Sequence, residues 1–75
     1  MNEINLTLIK QRRKEMRIPL QEMAESLGFK NAANYYKYEK GIYKFDASHI
    51  PIVATKLKLK VHEIFFAKQV AKIAN

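Results

Sequence analysis

The run Ala32-Ala33-Asn34-Tyr35-Tyr36-Lys37-Tyr38-Glu39-Lys40 holds its binding-competent side chains at helical spacing. Wound at about 100° per residue, it separates into two faces. Tyr35, Tyr38 and the stem of Glu39 share one side; Ala33, Lys37 and Lys40 share the other, flanked by Asn34 and Tyr36. The second face carries small residues, an amide, a phenol and two cations, and no carboxylate. Lysine only donates hydrogen bonds, whereas asparagine and tyrosine both donate and accept. Such a face suits a groove lined by phosphates and base edges.

The rest of the chain offers no rival chemistry. It contains no Ser/His/Asp set, no carboxylate pair and no glycine-rich phosphate loop. His49 and His62 stand thirteen residues apart with no cysteine and few acids nearby, a poor ligand set for a metal. They read as cap-region or surface histidines. The expectation is a chain that is not an enzyme and takes no cofactor and no metal.

Charge points the same way. Fourteen Lys and Arg oppose seven Asp and Glu, a net +7 over 75 residues. That balance favours an anionic partner, nucleic acid first and membrane surface second; simple solubility is the plainer alternative. No apolar run approaches the roughly 18 residues of a membrane span and no signal-peptide pattern opens the chain, so a cytoplasmic location is expected. A chain this short reads as one domain over 1–75 and buries only about 60–65% of its unfolded surface. Lacking cysteine, it relies on one packed core and on any partner chain.

The elements that must position the basic face are set by apolar spacing and breakers. A first helix is expected over 5–17, with Ile9, Arg13 and Met16 at i, i+4 and i+7. Ile18-Pro19 ends it and opens a second helix over 20–27, with Leu20, Met23, Ala24 and Leu27 inward. Gly28 turns the chain, Phe29 plugs the core, and Asn31 caps a third helix over 32–40 that Gly41 closes. A fourth is expected over 48–58, buried through Ile50, Val53, Ala54 and Leu57. Asp46 and Ser48 are its candidate caps, and Pro51 favours Ser48. A fifth is expected over 61–74. Five helices with short joints make an all-α domain.

Taken together, the second and third helices resemble the helix-turn-helix of phage-repressor and Cro-type regulators, the lambda-repressor-like or XRE family. The resemblance rests on Met23-Ala24, Leu27-Gly28, Tyr38-Glu39-Lys40-Gly41 and Val53-Ala54-Thr55-Lys56-Leu57-Lys58-Leu59, and runs from about Ile9 to Phe65. It implies a five-helix domain whose third helix enters the major groove of double-stranded DNA while the second crosses the backbone. The family's base-contacting positions fall on Ala32, Ala33, Asn34 and Lys37. Lys30, Tyr36, Lys40, Tyr43 and Lys44 would then meet phosphates, with Arg17 or Lys14 added from the first helix. The family also commonly pairs an arginine of the first helix with the glutamate ending the third, here Arg13 and Glu39. Both indeed project from otherwise apolar faces.

Three departures bear on the contacts. One extra residue lies between Gly28 and Asn31, which can shift the base contacts by one. Leu20 stands where many members carry a phosphate-clamping glutamine, and Pro19 replaces the usual Ser or Thr cap. The residues themselves also leave plainer alternatives open. Asn34 suits a helix start as well as a base edge, Lys37 suits a solvated face, and Tyr36 and Tyr43 can be ordinary exposed side chains.

Phe65 and Phe66 point about 100° apart on a helix, so only one can face the core. Phe66, Val70 and Ile73 would form a second apolar stripe, read as a homodimer interface; folding back onto the first helix is the alternative. The functional expectation is a repressor- or Cro-like transcriptional regulator of phage or mobile-element type. Its rival is a protein-interaction module, such as an antirepressor or antitoxin-like partner, with a regulatory protein on the tyrosine face or the fifth helix. A membrane surface would engage the fifth helix alone and is not expected.

Overall fold

Each expected helix is set by its ends as much as by its apolar stripe, and the computed structural model, which describes residues 3–65, shows how. Four α-helices form: α1 over Leu6–Glu15, α2 over Leu20–Leu27, α3 over Ala32–Glu39 and α4 over Ile50–Leu57. Asn5 opens α1, its side-chain oxygen accepting from the Leu8 amide at 3.1 Å. Asn31 opens α3 in the same way, accepting from the Asn34 amide at 2.8 Å.

All four helices end alike. After each, one residue turns left-handed: Arg17 at φ 58°, Gly28 at 76°, Gly41 at 88° and Lys58 at 56°. The next amide reaches back five residues: Ile18 to the Arg13 carbonyl, Phe29 to Ala24, Ile42 to Lys37 and Leu59 to Ala54. This is the Schellman arrangement, which satisfies carbonyls the helix leaves open. The residue after each reversal is apolar. Ile18 is buried, and Phe29 and Leu59 pack against the core, but Ile42 remains 62% exposed.

The helices converge on Ile9, Met23, Ala24, Tyr35, Val53 and Leu57, with Ile64 closing the set. Full burial of a large aliphatic side chain contributes roughly 1.5–3 kcal/mol. Ala24 has no accessible surface, and α2 packs more extensively on α3 than any other pair of elements does on each other. The result is a compact all-α four-helix bundle. Two polar ties brace α4. Lys56 of α4 pairs with Glu22 of α2, and Arg12 donates from Nε to the Leu57 carbonyl at 3.0 Å, a cation at the end of α4.

Some expected elements change. The fifth helix expected over 61–74 does not begin at Val61. Val61–Ile64 is instead a 3₁₀ turn, held by the Glu63 carboxylate accepting from the Lys60 amide at 2.7 Å. Phe65 then runs extended and forms an antiparallel bridge with Ile4. The reason is competition for one acceptor: the Ile64 carbonyl, which a continuing helix needs for its own ladder, takes the Asn5 amide at 2.7 Å. Phe66, Val70 and Ile73 lie outside the described residues.

The start of α4 also moves, from Ser48 to Ile50. Residues 46–49 form a turn in which the Asp46 amide donates to His49 Nδ1 at 2.9 Å, so neither Asp46 nor Ser48 caps the helix. Pro51 still falls within its first turn. Helix α1 stops at Glu15 rather than Arg17, because Arg17 is itself the reversing residue.

The shared helix ending makes a signed prediction. A Cβ at Gly28 meets nothing within 4 Å, so Gly28→Ala should cost only the left-handed backbone, about 1 kcal/mol. At Lys58 the penalty is already present, and Lys58→Gly should stabilise by about 0.5–1 kcal/mol. Urea midpoints with unchanged m-values check both; destabilisation by Lys58→Gly would contradict the shared motif.

Candidate nucleic-acid interface

The reversal at Gly28 and the Asn31 cap aim α3 so that Tyr35 and Glu39 turn inward. The opposite side faces solvent. Ala33, Tyr36, Lys37 and Lys40 are exposed, and Ala32 and Asn34 are half-buried. Lys30, Tyr43, Lys44 and Arg17 are also exposed. Of the expected contact residues, Ala33, Asn34, Tyr36, Lys37 and Lys40 therefore lie on or beside the outer side of α3, with Ala33 and Lys37 the freest of the four expected base-contact positions.

That face is cationic without relief. Between Ser26 and Phe45 the chain carries four lysines and a single acid, Glu39, which is only 4% exposed. Among the described residues, Lys30, Lys37, Lys40 and Lys44 form no ion pair with a carboxylate; the three pairs present involve Arg12, Arg13 and Lys56. Two of the lysines rest on aromatic rings instead. Lys40 Nζ lies 5.1 Å from the Tyr36 ring centre, and Lys37 Nζ lies 5.5 Å from that of Tyr43. Both are within cation–π range.

Beneath the face, Glu39 is held by two elements at once. Arg13 Nε donates to its Oε2 at 2.8 Å and Nη2 to its Oε1 at 3.0 Å, a bidentate pair. The Tyr35 hydroxyl donates to the same Oε2 at 2.7 Å, and Arg13 Nη1 donates to the Ile18 carbonyl at 3.1 Å. No buried side-chain polar atom among the described residues lacks a partner. The bond to Glu39 raises the Arg13 pKa against the opposing effect of burial. Burial, and then the hydrogen bond to Glu39, pushes the Tyr35 phenol well above its ordinary range.

An aromatic seam continues the support. Phe29 stacks on Tyr38 with ring centres 4.5 Å apart, and Tyr38 meets Tyr43 edge-on at 5.4 Å. His49 sits edge-on to Phe29 at 5.1 Å and to Tyr38 at 5.6 Å. It is the cap-region histidine expected at the start of α4, but half-buried as a member of the seam rather than on the surface. Sequence reasoning missed this, since no periodic pattern links positions 29, 38, 45 and 49. Leu20 packs against the core. Tyr38 is half-buried, not central like Tyr35.

No family model matches this chain, and neither does any curated protein or solved structure.

The buried triad sets two expectations. Arg13→Ala leaves the Glu39 carboxylate without its cation and should lower stability by about 3–5 kcal/mol. Replacing Arg13, Glu39 and Tyr35 together by Met, Leu and Phe should recover part of that loss. Chemical denaturation of the variants measures the difference, and an unchanged melting temperature for Arg13→Ala would overturn the assignment.

The second expectation concerns pH. The Tyr35 pKa is raised on folding, so its contribution is complete below the ordinary phenol value of about 10 and is lost as pH climbs beyond it. Absorbance near the phenolate band should show one tyrosine that ionises only as the chain unfolds. The fall in stability above about pH 10 should be shallower in Tyr35→Phe.

Proposed function

We propose that this chain is a sequence-specific double-stranded DNA-binding transcriptional regulator of the phage-repressor and Cro type, acting as a homodimer and reading the major groove with α3. One observation carries the reading: α3 and its C-cap expose Ala33, Tyr36, Lys37 and Lys40 while the helix's only carboxylate is buried and paired. A face of that kind gains from every phosphate it approaches and has no like charge to repel one. The local architecture supports it. Two eight-residue helices, α2 and α3, are joined by the four residues 28–31 with a left-handed glycine, the dimensions of a helix-turn-helix.

In this arrangement α2 crosses the backbone and the first half of α3 meets the base edges. Lys37 donates to guanine O6 and N7, Asn34 pairs with adenine, and Ala32 and Ala33 offer methyl groups to thymine. Lys30, Tyr36, Lys40, Lys44 and Arg17 contact phosphates and fix register, with the Tyr43 ring beside Lys37. Arg13 and Glu39 set the angle at which α3 is presented. In a homodimer, two copies of α3 one helical turn apart would read a palindromic site.

A second reading is favoured by Ile42. It is the one apolar residue after a helix reversal that stays outside the core, 62% exposed beside Tyr43. An exposed aliphatic side chain among tyrosines and lysines also suits a protein partner, as in an antirepressor or antitoxin-like module.

Selection of duplexes from a random pool at two salt concentrations tests the choice. The expected product is a pair of half-sites about 10 base pairs apart, centre to centre, bound with a steep loss of affinity as salt rises. Lys37→Ala and Asn34→Ala should each cost about 1–3 kcal/mol of discrimination. Unaltered preference in both variants would overturn the base-reading assignment. Absence of duplex binding at low salt, with tight binding to a protein, would replace the regulator by the interaction module.

A further inference from the structure

The resemblance assigns Tyr43 to a phosphate, which is work for its hydroxyl. The structure places its ring, not its hydroxyl, in the notable contact. Lys37 Nζ lies 5.5 Å from the ring centre. The backbone holds the two residues together: the amides of Ile42 and Tyr43 both donate to the Lys37 carbonyl, at 2.9 and 3.2 Å. Behind, the ring leans edge-on against Tyr38 at 5.4 Å, and Tyr38 stacks on Phe29 at 4.5 Å. Tyr43 is therefore fixed from two sides and offers a ring to the one lysine whose side chain starts from the middle of the exposed face. Lys40 has a comparable ring in Tyr36, but that tyrosine belongs to α3 itself, one helical turn before it. Of these two lysines, Lys37 is the one held by a residue outside α3.

We propose that Tyr43 is a positioning residue that pre-orients the Lys37 ammonium through its ring face, so that the loop after α3 helps to set which base Lys37 reads. The proposal rests on the DNA-binding reading above and deepens it. A free lysine carries a flexible four-carbon stem, and confining it before binding reduces the ordering that each specific contact requires. A non-specific phosphate contact tolerates many positions of the ammonium, whereas a guanine edge tolerates few. The ring therefore acts on discrimination more than on general affinity.

The test compares Tyr43→Phe with Tyr43→Leu in the full chain. Phe keeps the ring and loses the hydroxyl; Leu loses both. Tyr43 is 42% exposed, so neither change opens a core cavity, and thermal melts verify that each variant folds. Binding is measured to the duplex selected by the unmodified chain and to a scrambled duplex of equal length. Tyr43→Phe should keep the ratio of the two affinities. Tyr43→Leu should lower it about two- to fivefold, the worth of an exposed cation–π contact, with binding to the scrambled duplex little changed. Weakening of both duplexes alike by Tyr43→Phe would return the residue to a hydroxyl–phosphate role and overturn the proposal. So would a ratio unaffected by Tyr43→Leu.

A second measurement needs no DNA. The Lys37 side-chain methylene resonances should be shifted upfield by the ring in the unmodified chain and in Tyr43→Phe, and should relax towards free-lysine values in Tyr43→Leu. A chain that shows this shift but binds no duplex overturns the regulator reading, and with it the role in base selection, while the contact stands. A chain that binds its duplex without the shift overturns the positioning role alone.

Discussion

The Glu39 carboxylate is the constraint on which the rest depends. An ionised carboxylate that is 4% exposed is costly unless it is both paired and hydrogen-bonded. Here it takes two bonds from Arg13 and one from Tyr35, so α1 and α3 meet around one charge. Arg13 also donates to the carbonyl of Ile18, where the chain leaves α1 for α2. One ion pair thus joins the helix that carries the basic face to the helix beneath it and to the start of the turn-forming segment. Geometry of this kind specifies an orientation more than it adds net stability, since a well-packed apolar triad would fill the same space.

Burying that acid also shapes the surface. A glutamate turned outward would sit among Lys37, Lys40 and Lys44 and cancel part of their field. Turned inward, it serves the core and leaves the lysines facing solvent with tyrosine rings for company. The same placement thus answers a packing problem and an electrostatic one. The proposed regulator draws on both: a fixed angle for α3 and an uninterrupted positive potential on its outer side.

Around this centre the helices are kept short by a repeated ending. Left-handed residues at 17, 28, 41 and 58 stop each helix and send an apolar residue back toward the protein. Two of those positions are glycine and two are long cations, so the motif tolerates strain where Arg17 and Lys58 stand. The exception in side-chain direction, Ile42, falls beside the basic face. The loop after α3 is accordingly a part of the binding surface in the proposed function, and through Tyr43 it reaches Lys37.

Much of this was legible from residue order alone. The apolar spacing in α2 and α4, the reversing glycines and the Asn31 cap are local signals, and α2 and α3 formed with the expected starts. The two faces of α3 came from a 100° rotation per residue, a property of the helix itself. Tertiary structure decided whatever depended on competition between distant groups. The Asn5 amide takes the Ile64 carbonyl, so the chain after α4 passes through a 3₁₀ turn into extended backbone at Phe65. His49 joined the aromatic seam because Phe29, Tyr38 and Phe45 come together only when α2, α3 and the 46–49 turn are packed. Periodicity reports which side of one helix is apolar; it carries no information about which acceptor a remote amide will reach first.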